Sequence, residues 1–311
     1  MNLKNYVLIT AVRDEEEHIE NTIKAVIAQT CLPVQWNIVS DGSMDRTDEI
    51  VLQYAVKYHF ITLLRKTANS YEKIDFSSKV HAIKMGYEKL AEIKYDFIGI
   101  LDGDVTFDSQ YYEKVLRKFN QNPKLGIAGG IIFDQYDDHC IRRSPSHLNY
   151  VSGCIQLFRG KCYEDIGGLF PIKEGGEDTI AAITAQMKGW EVEAFEDIEV
   201  YHHKHRRATR DKLKEAFRAG RMFYALGSHP LIELLKSIKS ITNPPFLFFA
   251  SIRMYGYIYA CCRRQKRPVS DLFIKYFRNE QCTKLKTFFV NKRKQSDQIP
   301  GTGQKINNRS K

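Results

Sequence analysis

The sequence has few cysteines, and their spacing excludes two kinds of scaffold. The seven cysteines among the 311 residues lie at positions 31, 140, 154, 162, 261, 262 and 282, and no two of them form a CxxC pair. An odd and scattered set of this kind argues against a disulfide framework and against a zinc ribbon. It is typical of a protein in a reducing, cytosolic setting.

Long apolar runs, glycine-rich nucleotide loops and internal repeats are also missing. The longest apolar run covers residues 246–262 and is interrupted by Arg253, so it lies just under the length that spans a bilayer. The first apolar run, residues 6–12, is broken by Thr10 and followed by acidic residues, and we expect no export signal there. No G-x-G-x-x-G motif follows that run, which weakens an ordinary dinucleotide-binding interpretation.

The chain does contain a core-forming composition and an uneven charge. Hydrophobic residues make up 43% and aromatic residues 12% of the chain, which excludes a disordered, collagen-like or coiled-coil protein. The net charge is +10, but residues 1–200 carry 22 basic and 31 acidic side chains, whereas residues 201–311 carry 25 and 6. A mildly acidic body joined to a strongly basic end predicts an anionic partner, either a membrane or a nucleic acid.

Strand and helix patterns alternate along the first half of the chain. Apolar runs predict strands at 6–10, 36–40, 60–64 and 96–101, and helical spacing predicts helices from Asp14, over 48–58 and over 80–91. Further strands are expected at 125–133, 152–158 and 190–195, with a helix at 178–188 before the last of them. Repeated β-α-β units predict an α/β fold with a mostly parallel sheet flanked by helices.

Polar motifs follow three of the predicted strands. They comprise residues 11–14, residues 41–45 and residues 102–104. Ligands of open α/β sheets bind beyond the carboxyl ends of the strands. The sequence therefore predicts a binding site where these three motifs meet.

The segment Asp102-Gly103-Asp104 carries the clearest chemistry. Two carboxylates that leave a buried strand together repel each other unless a cation lies between them. A divalent cation bound by hard oxygens, with a diphosphate completing its shell, resolves that repulsion, and Gly103 leaves room for a ligand. A solvated acidic turn is the alternative, because D-x-D alone is a weak signal.

Taken together, the motifs resemble the inverting, GT-A-fold glycosyltransferases of family 2. The resemblance is carried by residues 8–16, 39–47, 76–86, 102–104, 175–179 and 188–190. It spans about residues 6–225, with the motifs in the expected order. Ser40 stands where the family often has the first acid of an acidic pair.

The resemblance implies a donor site and a metal site. The donor would be a nucleoside-diphosphate sugar, with UDP as the expected nucleotide. Its nucleotide would contact a set of residues near the strand ends: Thr10, Ala11, Arg13, Asp14, Asp41, Lys79, Asp102 and Gly103. Asp104 would be the main ligand of Mn²⁺ or Mg²⁺, with Asp102 and His202 beside it. For Lys79, a solvated surface lysine is an equally good interpretation.

The segment Gly175-Gly176-Glu177-Asp178 is expected to form the acceptor side. Inversion needs a base on the face opposite the leaving group. The resemblance gives that role to Asp178 and acceptor binding to Glu177. Simple helix capping is the alternative, because acidic residues are common in first turns. His202 and His203 are adjacent on a strand, so they are not expected to share one zinc ion.

The C-terminal third has the pattern of a membrane-associating region. Basic amphipathic helices are predicted at 209–226 and 231–241, before the apolar run, and a basic cluster follows that run. Such a segment lies in a membrane interface, although a helix packed on the catalytic domain is the alternative. We expect a glycosyltransferase domain over 1–225, a membrane-associating helical region over 226–290 and a disordered basic tail over 291–311. These features predict peripheral attachment to the cytoplasmic face of the cell membrane.

The expected function is transfer of one sugar to a hydroxyl of a lipid-linked or cell-surface glycan. No Q-x-x-R-W motif is present, which argues against a processive synthase. A nucleotidyltransferase is one alternative, although that class usually begins with a glycine-rich basic loop after its first strand. A catalytically inactive membrane or nucleic-acid adaptor is another. The aromatic residues of the basic end lie in apolar runs and not in a basic stacking platform, so we expect no nucleic-acid partner.

Overall fold

A single sheet organises the first two thirds of the chain. The computed structural model describes residues 5–66, 75–136, 139–143, 149–203, 209–239 and 246–296. Within them, the strands are β1 (Tyr6–Val12), β2 (Gln35–Ser40), β3 (Ile61–Arg65), β4 (Phe97–Leu101), β5 (Val105–Phe107), β6 (Leu125–Gln135), β7 (Cys140–Arg142), β8 (Ile155–Arg159) and β9 (Glu191–His203). Their order is β3-β2-β1-β4-β8-β6-β9-β5, and β7 pairs with the end of β6.

The first four strands are parallel, as the β-α-β pattern predicts. β1 pairs with β2 and with β4, and β2 pairs with β3. Beyond β4 the sheet is mixed, because β8 runs antiparallel to both β4 and β6, whereas β6 and β9 are parallel. The carboxyl ends of β1, β2 and β4 therefore meet at one edge of the sheet.

Helices cover both faces of the sheet, and further helices follow its last strand along the chain. Those in the described residues are α1 (Ile19–Ile27), α2 (Thr47–Ala55), α3 (Phe76–Glu88), α4 (Tyr111–Gln121), α5 (Gly160–Ile166), α6 (Glu177–Met187), α7 (Thr209–Ala225), α8 (Pro230–Lys239), α9 (Phe246–Cys262) and α10 (Asp271–Ser296). Alternate residues of β1 enter two separate apolar cores, with Tyr6 and Leu8 in one and Val7 and Ile9 in the other. A strand buried on both faces gives a continuous apolar run. The predicted α/β class with a C-terminal helical extension is confirmed.

Several elements were not predicted from the sequence. Helix α4 has apolar residues at helical spacing, Tyr111, Val115 and Phe119, and all three are buried. The short strands β5 and β7 and the helices α5 and α10 were also not predicted. Helix α10 continues to Ser296, within the segment 291–311 for which a disordered tail was expected, and residues 297–311 lie outside the described residues.

Helix α9, the longest apolar run, packs directly on α7. The two helices cross at Gly220 and Gly256, where added Cβ atoms would lie 1.9 Å from the Arg253 carbonyl oxygen and 2.1 Å from the Phe217 carbonyl oxygen. Arg253, which interrupts the run, forms a 2.8 Å ion pair with the buried Glu233 of α8. The packed-helix interpretation therefore describes one side of α9. None of the helices in the described ranges has both the length and the apolar character needed to cross a bilayer.

We expect Gly220→Ala to destabilise the protein by about 1–2 kcal/mol. Alanine favours a helix by about 1 kcal/mol over glycine, but overpacking costs roughly 1–3 kcal/mol, and here the obstacle is a carbonyl oxygen of the partner backbone. Urea unfolding measures the change. Lys212→Ala, at an exposed site on the same helix, is the control. Unchanged or increased stability of Gly220→Ala would contradict this close crossing.

Candidate active site

The loops after β1 and β2 are held together by hydrogen bonds between them. Asp14 has a left-handed backbone, with φ of 54°, and its carboxylate accepts a hydrogen bond from the Met44 amide at 2.7 Å. The Glu16 amide donates to the Asp45 carboxylate at 2.9 Å, and the Arg46 amide donates to the Glu16 carboxylate at 3.1 Å. The two loops therefore form one surface at the carboxyl edge of the sheet.

Asp41 lies at the centre of this surface and is only 7% exposed. Its carboxylate pairs with the Arg13 guanidinium at 3.0 Å and with the Lys66 ammonium at 3.2 Å. The Ser78 hydroxyl of α3 also donates to it. A nearly buried carboxylate needs such partners, so Asp41 fixes two cations and the start of α3 at this edge.

Ala11 and Thr10 also belong to the set expected at the nucleotide site, and their surroundings differ from each other. Ala11 is partly buried against the apolar core on one face of the sheet. Thr10 is fully buried, and its hydroxyl accepts a hydrogen bond from the Trp36 indole at 2.9 Å. The role at the nucleotide site that was expected of Thr10 and Ala11 stays a prediction, and the Thr10 hydroxyl is turned toward Trp36.

The D-x-D turn is fixed from both sides. The Thr22 hydroxyl donates to the Gly103 carbonyl at 2.8 Å and accepts from the Val105 amide at 3.1 Å. A Cβ on Gly103 would lie 2.9 Å from a Val12 methyl group, so a larger residue would push the turn away from β1. Glycine is thus needed for close packing of the turn, in addition to any room that it leaves for a ligand.

The two carboxylates of this turn have different partners. Asp102 pairs with the Lys79 ammonium at 2.6 Å, whereas the Asp104 carboxylate lies 3.0 Å from Nε2 of His202. Burial raises the pKa of Asp102 and Lys79 opposes that shift. Burial also disfavours the charged form of Asp104, but His202 outweighs it and holds the pKa of Asp104 below its usual value. Burial and both aspartates raise the pKa of Glu15 to about 8.

His202 connects Asp104 to a second, half-buried acid. Its Nδ1 lies 3.2 Å from the Asp134 carboxylate, which also binds the Arg143 guanidinium. Burial lowers the pKa of His202, but the hydrogen bonds to both aspartates raise it above the usual value. The adjacent His203 instead contacts the Thr106 hydroxyl at 2.8 Å. The two histidines thus have separate partners, as strand alternation predicts.

The donor atoms at this edge suit a hard divalent cation. Asp102 and Asp104 offer carboxylate oxygens, which suit Mn²⁺ and Mg²⁺, and His202 offers an imidazole nitrogen, a softer donor. Within the described ranges, however, no three His, Cys, Asp or Glu side chains are already gathered as a metal site. Any ion here would therefore need ligands besides these side chains.

The acceptor-side turn precedes α6. Gly175 and Gly176 have φ of 84° and 99°, a region that favours glycine, and α6 begins at Glu177. The Asp178 carboxylate accepts hydrogen bonds from the Tyr150 hydroxyl, from the Gly153 amide at 3.1 Å and from the Thr179 amide at 2.6 Å. Asp178 is therefore held in one orientation by groups from two segments of the chain.

Lys79 connects the D-x-D turn to the acceptor-side turn. Its ammonium lies 3.9 Å from the Glu177 carboxylate and 2.6 Å from that of Asp102. The Lys79 side chain is 25% exposed, which does not match a solvated surface lysine. Burial opposes its charge, yet the two carboxylates outweigh burial and raise the pKa of Lys79. Burial also raises the pKa of Glu177.

Several of these contacts were not predicted from the sequence. Asp134 follows the predicted apolar strand 125–133, so the strand-end rule that singled out Asp102 could have found it. No local signal identifies Tyr150 or Arg143, because each reaches its partner from a separate segment.

Comparison with known proteins identifies the sequence family. The model of glycosyl transferase family 2 matches residues 7–176, which is more than half of the chain. The match ends one residue before Glu177. The Glu177–Asp178 pair therefore lies outside the matched region.

Curated relatives include poly-beta-1,6-N-acetyl-D-glucosamine synthases of two staphylococci. The Staphylococcus epidermidis protein is 26% identical over 177 residues, or 51% of this chain and 40% of the relative. The Staphylococcus aureus (strain COL) protein is 26% identical over 183 residues, or 53% of this chain and 42% of the relative. The chain thus spans well under half of the length of these relatives.

Two solved structures share the fold of this chain. One is S. aureus TarS 1-349 in complex with UDP-GlcNAc, at a TM-score of 0.52 and 14% identity over 71% of this chain and 65% of that one. The other is a mannosyltransferase from Pyrobaculum calidifontis in complex with GDP-Man and Mn²⁺. Its TM-score is 0.52, with 15% identity over 92% of this chain and 75% of that one.

With its parallel strand ends, its D-x-D turn and the match over more than half of its length, this chain belongs to glycosyl transferase family 2.

Proposed function

We propose that this protein transfers one sugar, with inversion, from a nucleoside-diphosphate sugar to a hydroxyl of a glycan or lipid-linked acceptor. The observation that carries the proposal is the position of Lys79 between Asp102 and Glu177. The donor-side turn and the acceptor-side turn are thus within reach of one side chain. Transfer between two bound substrates requires such proximity. A UDP-sugar is the proposed donor, since the relatives are named for a polymer of N-acetylglucosamine and TarS, which shares the fold, is in complex with UDP-GlcNAc.

The donor would bind across the loops that follow β1, β2 and β4. Arg13 and Lys66 place two positive charges beside Asp41, and a nucleoside diphosphate is attracted to such cations. Asp102, Asp104 and His202 would hold Mn²⁺ or Mg²⁺. When bound, that ion would neutralise the charge that develops on the departing diphosphate.

Asp178 is the proposed general base. Its Oδ2 is bound by Tyr150 and Gly153, and its Oδ1 is bound by the Thr179 amide and, more weakly, by the Thr179 hydroxyl at 3.3 Å. The acceptor hydroxyl would replace that weakest donor and give its proton to Oδ1. Its oxygen would then bond to the anomeric carbon, while the electron pair of the breaking C–O bond leaves with the diphosphate.

Asp178→Asn should lower the transfer rate by about 10²–10⁴-fold, the usual contribution of a general base, while UDP affinity stays within about twofold. UDP release measures transfer, and calorimetry measures binding. Asp197→Asn, which changes an exposed aspartate paired with Lys118, is the control. Unchanged turnover of Asp178→Asn would reject the base assignment, and release of pyrophosphate in place of UDP would support a nucleotidyltransferase.

Asp104→Ala should weaken UDP binding in the presence of Mn²⁺ by about tenfold or more, because a metal ligand is lost. Calorimetry of the full chain with UDP, in Mn²⁺ and in EDTA, measures this. Asp108→Ala, at an exposed aspartate directly after β5 that pairs with Lys114, is the control. Equal affinity of the unaltered protein in Mn²⁺ and in EDTA would show that the metal role is wrong.

We further propose attachment to the cytoplasmic face of the cell membrane through α8 and α9. The support is a set of exposed apolar side chains on these helices: Leu231, Leu234, Leu235, Phe248, Tyr255 and Ile258. Arg263, Arg264 and Lys266 follow α9 directly. Exposed apolar residues beside basic residues suit the interface of an anionic bilayer. An acceptor bound to lipid would then lie near the site.

The double variant Leu231→Glu/Leu234→Glu should bind vesicles at least about tenfold more weakly, because burying each leucine contributes roughly 1.5–3 kcal/mol. Sedimentation with phosphatidylglycerol-containing vesicles measures this, and neutral vesicles should bind the unaltered protein less. Leu52→Glu, at an exposed leucine of α2, is the control. Equal vesicle binding by the double variant, or binding of an oligonucleotide in place of vesicles, would contradict membrane attachment.

A further inference from the structure

The turn that carries Glu177 and Asp178 is held from outside by two arginines of α7. Arg218 donates a hydrogen bond to the Glu174 carbonyl, and Arg221 pairs with the Glu174 carboxylate at 2.6 Å. Glu174 is thus bound through its backbone and its side chain. It lies directly before Gly175 and Gly176, whose left-handed conformations turn the chain into α6.

Arg218 also contacts the donor side of the site. Its guanidinium lies over the Phe76 ring, 3.8 Å from the ring centroid, within cation–π range. Phe76 is the first residue of α3, three residues before Lys79. One side chain of α7 therefore touches both the turn before Glu177 and the helix start that carries Lys79.

Helix α7 is itself fixed, so it can serve as a reference for the turn. Its residue Gly220 lies against the backbone of α9, and a Cβ on Gly176 would lie 3.2 Å from Met222 of α7. Leu226, directly after α7, is buried in a cluster with Ile180 and Ile183 of α6. The contacts continue from α7 through the turn into α6, whose second residue is the proposed base.

We propose that Arg218 and Arg221 are positioning residues, which set the place of the Glu174–Asp178 turn relative to the start of α3. This inference rests on the proposed function of that turn. Neither arginine is needed for the chemistry itself. A displacement of about 1 Å at a reacting group can cost about 10²-fold in rate, and the two glycines of the turn provide little resistance of their own to such a shift.

The test compares Arg218→Gln and Arg221→Gln with Lys212→Gln, which removes a charge from an exposed site on the same helix. Hydrogen exchange of the full chain should show at least about threefold faster exchange for the amides of residues 175–179 in both arginine variants only. Arg218→Lys and Arg221→Lys keep the charge and one donor, so they should restore slow exchange in part. Unchanged exchange in both glutamine variants would overturn the proposal, whether or not the protein transfers sugar.

Kinetics supply the second readout. With UDP-N-acetylglucosamine as the donor probe, both glutamine variants should lose about tenfold or more in kcat, while calorimetric affinity for UDP stays within twofold. Arg221→Gln combined with Glu174→Gln should lose no more than either change alone, because both act through one ion pair. An equal loss of UDP affinity, or additive losses in that pair, would show a general structural role. If the unaltered protein transfers no sugar, the proposed function fails, and the exchange experiment still decides the role of the arginines.

Discussion

One ammonium group between carboxylates holds the two halves of the candidate site together. Lys79 lies 2.6 Å from Asp102, which follows β4, and 3.9 Å from Glu177, which begins α6. Burial raises the pKa of both acids, so their charged forms depend on a nearby cation. The Lys79 charge thus connects the end of β4 with the first turns of α3 and α6, and removing a partner from such a partly buried group is costly.

The same pairing recurs at four other acids of the site. They have a cationic or protonatable partner: Asp41 with Arg13 and Lys66, Asp104 with His202, Asp134 with Arg143, and Glu174 with Arg221. The edge of the sheet is therefore a network of matched charges and not a bare acidic cluster. A nucleotide and a metal ion entering such a network would exchange partners within it, which costs less than desolvating isolated charges.

The sequence predicts the local part of this site, and the long-range part depends on the fold. The strand-end positions of Asp102 and Asp104 follow from apolar periodicity and from the parallel order of β-α-β units. No local pattern indicates that the Thr10 hydroxyl accepts a hydrogen bond from the Trp36 indole. The contact of Tyr150 with Asp178 joins separate segments, and no local pattern encodes it. Helical spacing likewise predicts α7 without indicating which turn its arginines hold.

The most direct test of the central claim is the anomalous scattering of Mn²⁺ in crystals of the full chain grown with UDP. The account predicts a manganese peak within about 2–2.5 Å of an Asp104 carboxylate oxygen, with the diphosphate beside it and the nucleoside over the loops after β1 and β2. A peak remote from Asp104 would contradict the account, as would UDP bound in the open groove that includes Trp190 and Tyr276.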